Sequence, residues 1–332
     1  MPERRKVSIV GAGSVGATVA YASLIRGAPK TVALHDIDRD KVRAEVLDLN
    51  QGSQFYPAAN VIGSDDIAVT SDSDVVVVTA GAKQKPGQTR LELAAVNVRM
   101  CRSLVPALVE LSPDAMIVLV TNPVDVVTYA AVQASGLPSR RVFGSGTVLD
   151  SSRLRTLLAE HCEVAVRSVE AFIVGEHGDS QVAAWSRASI GGVPVRDWAV
   201  PGRPRLDGAP LDGIAHEVAT AAEQIIRGKG ATNFAVGLAA AGVIEAVLHD
   251  ERSVMPVSSL LGGQYGIEDV CLSLPSIVDA KGVDAVLAPP HDWWDWYGAY
   301  MEAREQGSTP EDAAKAAGRY MADVKHVVVA ST

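Results

Sequence analysis

The stretch that most limits what this chain can fold into is Gly11-Ala12-Gly13-Ser14-Val15-Gly16. It directly follows a short strand, 6–10, and directly precedes a segment of helical period, 17–26, that stops at Gly27. Strand, glycines and helix in that order predict the opening βα unit of a parallel sheet. Gly11 permits the tight turn, Gly13 lets the backbone approach a pyrophosphate, and Gly16 lets helix and strand pack closely. At the helix N-terminus, Ser14 and Val15 offer unpaired N–H groups and the positive end of the helix dipole to phosphate. A second strand, 31–35, ends at Asp36, twenty residues after Gly16. A carboxylate there can accept hydrogen bonds from both ribose hydroxyls and would repel a 2′-phosphate, which favours NAD over NADP. The plainer reading is a glycine turn followed by a solvated aspartate.

The runs 74–79 and 115–120 are continuously apolar, as expected of central parallel strands covered on both faces. Helical segments alternate with them, among them an amphipathic stretch at 40–49. The expected fold is α/β: a doubly wound parallel sheet with the cofactor across the carboxyl ends of its strands. Thr79, Ala80 and Gly81, where the third of these strands ends, join the expected cofactor set. At 332 residues there is room for two domains, and we place them at 1–145 for the cofactor and 146–332 for the substrate. A net charge of −9 with scattered Lys and Arg argues against a nucleic-acid surface. No apolar run approaches the ~20 residues that span a bilayer. Cys101, Cys162 and Cys271 are widely spaced without a metal-ligand pattern, so reduced thiols and no metal are expected. The expectation is a soluble cytoplasmic protein with no membrane or nucleic-acid partner.

Between strand and helix, residues 81–91 form a polar stretch with a Pro86-Gly87 pair, placed beside the crevice where a loop could act as a lid. The following helix, 91–112, contains Pro106 and should kink or split there. Asn122 either presents its amide to a ligand or caps the helix that begins near Val124. Asp150 and Arg153, three apart on a helix marked by Leu154, Leu157 and Leu158, share one face. They point into a cleft together, or they form a salt bridge on a solvated face. The apolar run 169–174 reads as one strand, leading into Gly175-Glu176-His177-Gly178. The imidazole of His177 can exchange a proton near neutral pH, although a histidine in a glycine-rich turn is often structural. Helices at 211–228 and 232–248, a loop at 201–210, and antiparallel strands at 254–261 and 269–274 make the second domain mixed α+β.

Taken together, GAGSVG, AGAKQKPGQTRLEL, TNPVDVVTY, GSGTVLDSSRLR, GEHGDS and KGAT, in this order, resemble the bacterial L-lactate dehydrogenases of the lactate/malate dehydrogenase superfamily. The likeness runs from the N-terminal glycines to about Pro275. It implies a Rossmann domain carrying NAD, a small 2-oxo or 2-hydroxy acid as substrate, and a homotetramer or dimer. It also implies His177 as acid/base and Asp150 as its carboxylate partner. Arg153 would anchor the substrate carboxylate, and Arg90 would be the lid residue that polarises the carbonyl. Asn122 would contact substrate and nicotinamide, Thr232 would sit beside the substrate side chain, and Gln84 would hold the lid position where malate enzymes carry arginine. Many bacterial members are activated by fructose bisphosphate through an arginine and a histidine. Those places are held here by Arg155 and Glu170, so no such activation is expected.

The C-terminal region, 289–332, departs from the family. In place of a charged single helix it has His291-Asp292-Trp293-Trp294-Asp295-Trp296-Tyr297. A second unit follows, opened by the helix start Thr309-Pro310. The tryptophans suit packing or an interface. Malate dehydrogenase, a broader 2-hydroxy-acid dehydrogenase and a non-catalytic NAD-binding sensor are the competing readings.

Overall fold

The computed structural model describes residues 5–82, 89–203, 205–287 and 292–323. The first half alternates β1 (Lys6–Val10), α1 (Ser14–Arg26), β2 (Thr31–His35), α2 (Arg39–Gln51), β3 (Asn60–Ser64), β4 (Val75–Val78), α3 (Arg90–Leu111), β5 (Met116–Leu119), α4 (Val124–Ser135) and β6 (Val142–Gly144). Their spatial order is β3-β2-β1-β4-β5-β6, all parallel, so the order reverses between β1 and β4. Ligands of such sheets bind outside the carboxyl ends at that reversal.

Strand alternation explains the apolar runs. Val75 and Val77 enter one core with Val19 and Leu24 of α1, while Val76 and Val78 enter another with Val105 and Leu108 of α3. Both faces being covered, every position of β4 is buried.

The second half begins with α5 (Val148–Cys162) and short strands β7 (Val169–Glu170), β8 (Ile173–Val174), β9 (Val182–Ala183), β10 (Ser189–Ile190) and β11 (Val193–Pro194). It continues with α6 (Ala209–Lys229), α7 (Phe234–Leu248), β12 (Ser253–Gly262), β13 (Glu268–Asp279), β14 (Gly282–Val286), α8 (Asp292–Glu305) and α9 (Pro310–Asp323). The meander β12-β13-β14 does not form a separate sheet. It joins antiparallel to β6, with Ser258 opposite Gly144, making a nine-stranded sheet. A third core gathers Leu154 and Leu158 of α5 against Val169, Ile173 and Val218.

Some sequence expectations need correction. α3 is not split at Pro106. Pro106 and Arg102 are both exposed, so water can satisfy the Arg102 carbonyl that a proline at 106 leaves without its helical donor. The 169–174 run is two strands: β7 pairs with β10, and β8 pairs with β9. Glu170, exposed between buried Val169 and Ala171, marks where the run ceases to be continuous core. Asn122 does not cap α4: the cap position is Pro123, with no side-chain capping bond. The C-terminal region is a pair of helices. Thr309 caps α9 by accepting the Asp312 N–H at 3.2 Å, and Ala313 and Ala317 are buried with Tyr300 and Ala303 of α8 against Leu272 and Leu274. The tryptophan side chains lie outside the described residues.

Candidate active site

β1 ends where the sheet reverses, and the chain must turn into α1 without obstructing the carboxyl ends. A Cβ on Gly11 would stand 2.6 Å from the Ala80 nitrogen, and one on Gly16 would overlap the Gly11 carbonyl oxygen. A Cβ on Gly13 would have only the Lys41 ammonium within 4 Å, at 3.8 Å. The loop is thus tight at its two ends and open at its middle, where a pyrophosphate needs room. Gly13 is the N-cap of α1 with no side-chain capping bond, so the helix N-terminus keeps its donors for a ligand. Thr79 and Ala80 close the other side: both donate their backbone N–H to Val10, at 2.9 and 2.8 Å.

Asp36 follows β2 and accepts the Ala12 N–H at 2.7 Å and the Asp38 N–H at 3.1 Å, with Lys41 at 3.5 Å. Burial would raise its carboxyl, but the Asp38 and Ala12 N–H bonds and the Lys41 charge outweigh it and hold it below the usual carboxylate value. The group is therefore ionised and able to accept from a ribose diol. These features fit NAD on this chain's own geometry.

The cleft measures about 1610 Å³. Its walls include Gly11, Gly13, Ser14, Val15, Gly16, Asp36, Thr79, Ala80, Gly81, Asn122 and Thr232. Thr232 belongs to it because α7 begins only at Phe234, leaving 232 in the connection rather than in the helix expected from 232. Asn97 of α3, 1% exposed, was not singled out from sequence, yet it joins two walls. It accepts the Ala82 N–H at 2.8 Å and donates to the Asn122 carbonyl at 2.7 Å.

His177, Asp150 and Arg153 do not appear among the cleft's walls. They form a cluster joined to it through α4. Asp150 is 2% exposed in the first turn of α5. Its Oδ2 accepts from His177 Nδ1 at 2.6 Å and its Oδ1 accepts from Arg153 Nη1 at 2.8 Å. The salt bridge that sequence offered as one alternative is present, but it is not on a solvated face: its side chains are 14% and 3% exposed. Burial would lower the imidazole, but the hydrogen bond and charge of Asp150, with the charge of Asp125, raise it above its ordinary value despite Arg153. The ring nitrogen not engaged by Asp150 is Nε2. Behind the turn, Gly175 and Ser273 of β13 exchange backbone bonds of 2.8 and 2.9 Å, which seats the imidazole on the sheet's antiparallel extension.

Asp125, also missed from sequence, accepts the His177 backbone N–H at 2.8 Å. Arg90 opens α3; its side chain, and all of Gln84, lie outside the described residues. Metal-ligand types meet once among the described residues, at Glu245, His249 and Glu251. They lie at the C-terminal end of α7, where Glu245 is paired with Arg26.

The chain matches two family models. One is described as the NAD binding domain of lactate/malate dehydrogenase, over residues 5–144, and the other as its alpha/beta C-terminal domain, over 147–289. It is 49% identical to L-lactate dehydrogenase of Bifidobacterium animalis subsp. lactis over 286 residues, covering 86% of this chain and 89% of that protein. It is 48% identical to L-lactate dehydrogenase of a Synechococcus species, covering 85% and 91%. Among solved structures, it is similar to the minor L-lactate dehydrogenase from Enterococcus mundtii in its ligands-bound form. That likeness has a TM-score of 0.85 and 36% identity, covering 94% of this chain and 98% of the other.

Proposed function

The chain belongs to the lactate/malate dehydrogenase family, and from that premise we propose that it catalyses the reversible NAD-dependent reduction of pyruvate to L-lactate. One observation carries the chemistry: a buried carboxylate, Asp150, holds a histidine on one oxygen and an arginine on the other. A protein that only sensed NAD would have no need of that arrangement.

When bound, NADH supplies the hydride. The residues supply everything else. Arg153 offers a planar fork of donors that matches the substrate carboxylate. One of its nitrogens is held by Asp150, so the guanidinium reaches the substrate pre-oriented. His177, protonated, donates from Nε2 to the C2 oxygen, and Asp150 stabilises the cation and fixes the ring. Arg90 adds positive charge where that oxygen becomes negative, and Asn122 and Thr232 bound the substrate and nicotinamide. We place the enzyme in the cytoplasm, in keeping with free, buried thiols at Cys101, Cys162 and Cys271. Among the described residues, no helix is long and apolar enough to cross a membrane. The proposed assembly is a homotetramer, with a dimer as the smaller option.

Substrate choice is assigned to Gln84. A neutral side chain there leaves the second carboxylate of oxaloacetate desolvated without a counter-charge, whereas a methyl group carries no such penalty. Steady-state NADH oxidation should give a higher kcat/KM with pyruvate than with oxaloacetate, and Gln84→Arg should move the preference toward oxaloacetate. Equal use of both acids by the native enzyme would count against the lactate reading.

Regulation by fructose bisphosphate is not expected. Arg155 is committed within its own subunit: its Nε donates to the Ala171 carbonyl at 2.9 Å and its guanidinium lies 4.9 Å over the Phe172 ring. Burial lowers Arg155 and the charge of Glu170 opposes that, so Glu170 acts on it through its field. A phosphate brought to Arg155 would meet the Glu170 carboxylate as well, at about 4 kcal/mol for charges 4 Å apart near a protein surface. Pyruvate saturation curves with and without the sugar bisphosphate should superimpose for native protein. A clear leftward shift for native protein would refute this reading, and Glu170→His is the variant to compare.

A further inference from the structure

Asp125 has none of the roles assigned above, yet it is buried beside them, 8% exposed. It lies in the first turn of α4, three residues after Asn122. A carboxylate in a helix's first turn is stabilising anywhere. What distinguishes this one is where its oxygens go. Oδ2 accepts the backbone N–H of His177 at 2.8 Å, and Oδ1 accepts the Ser258 hydroxyl at 2.5 Å, from partners 52 and 133 positions away. Ser258, fully buried on β12, sits opposite Gly144 of β6. The helix that follows Asn122, the acid/base turn and the seam of the sheet therefore meet on one side chain.

We infer that Asp125 is a positioning residue of this active site: it clamps the backbone of the His177 turn to α4, and its negative charge adds to that of Asp150 in holding the imidazolium. The inference rests on His177 being the proton donor of the proposed reaction. A charge held against the backbone of the acid/base residue favours the protonated ring at longer range than Asp150 does. Burial pushes the Asp125 carboxyl up to about 6, with the bonds from Ser258 and His177 opposing. It is thus ionised through the neutral and alkaline range in which the imidazole gives up its proton. Among the described residues, the other charged groups acting on this pair are Asp150 and Arg153 from α5 and Glu176 from the turn itself. Cys271 on β13 adds no charge, because burial and the charges of Asp125 and Asp269 push its thiol up.

The test is Asp125→Asn in the full-length enzyme. The amide keeps an oxygen for the His177 N–H and a polar group for Ser258 while removing the charge. NADH affinity and pyruvate KM should stay within about twofold of native. The alkaline limb of kcat/KM for pyruvate reduction should move to lower pH by about half a unit or more. The acid limb of lactate oxidation, which needs the neutral ring, should move the same way. Asp125→Glu, which restores the charge, should return both limbs toward native. Ser258→Ala should lower the thermal midpoint without moving the alkaline limb, which is what a purely structural contact does. Asp125→Ser carries the same expectation as the asparagine variant and serves if that one does not fold. Limbs at their native positions in a folded neutral variant would overturn the inference, whatever the loss of stability. If native protein fails to reduce pyruvate, the functional reading itself fails; if it reduces pyruvate and the limbs do not move, only the role of Asp125 fails.

Discussion

Replacing His177 with asparagine should leave NADH binding near native while turnover of pyruvate falls by at least ~10²-fold, the scale of a lost general acid. The cofactor cradle is built by Gly11, Gly13, Gly16 and Asp36, and His177 is not among the walls of that cleft, so binding has no reason to follow the loss. The native pH profile should carry the same signature. Reduction needs the protonated ring, and Asp150 and Asp125 raise the imidazole above its ordinary value in spite of burial. Reduction should therefore persist to a pH above the ordinary imidazole pKa of about 6.5 and decline alkaline of the raised value. Lactate oxidation should rise through that same interval. A reduction rate flat into strongly alkaline pH, with chemistry shown to be limiting by isotope-labelled NADH, would place the donor elsewhere.

The cofactor half was legible in the sequence because its signals are local. Gly11, Gly13 and Gly16 lie within six residues, and a side chain at Gly16 would overlap the Gly11 carbonyl of the same loop. Val75–Val78 and Met116–Leu119 read as covered strands because alternation feeds two cores at once. Asp150 and Arg153 were visible as a pair, since three-residue spacing on a helix puts them on one face. What spacing could not show is that Asp150 serves both neighbours, because His177 arrives from 27 residues away.

Asp125 was hidden for the same reason. Its partners reach it from β12 and from the His177 turn, and no local period encodes that meeting. The same holds for the seam between β6 and β12, where one pair, Gly144 and Ser258, merges two expected domains' strands into one sheet. Pro106 did not split its helix as one sequence alternative had it: Arg102 is exposed, so water can satisfy the carbonyl that the proline leaves without a donor.

Arg153→Leu should produce the other large loss, and its sign separates it from every variant above. The substitution leaves the pyruvate carboxylate without its fork in a partly enclosed site. Removing one partner of a buried charge pair costs about 3–5 kcal/mol, so kcat/KM for pyruvate should fall by roughly 10³-fold. NADH affinity should hold, since Arg153 is absent from the walls of the cofactor cleft. The pH limb should nonetheless move upward. Arg153 depresses the His177 imidazole through its positive charge and also shares Asp150, taking Oδ1 at 2.8 Å while the ring takes Oδ2 at 2.6 Å. Without it, Asp150 is left to the imidazolium alone and the ring holds its proton to higher pH. Asp125→Asn moves that limb down and Arg153→Leu moves it up. A guanidinium that served only as substrate anchor would change KM and leave the limb in place. An unmoved limb in Arg153→Leu would therefore sever the arginine from the proton donor while leaving its anchoring role intact.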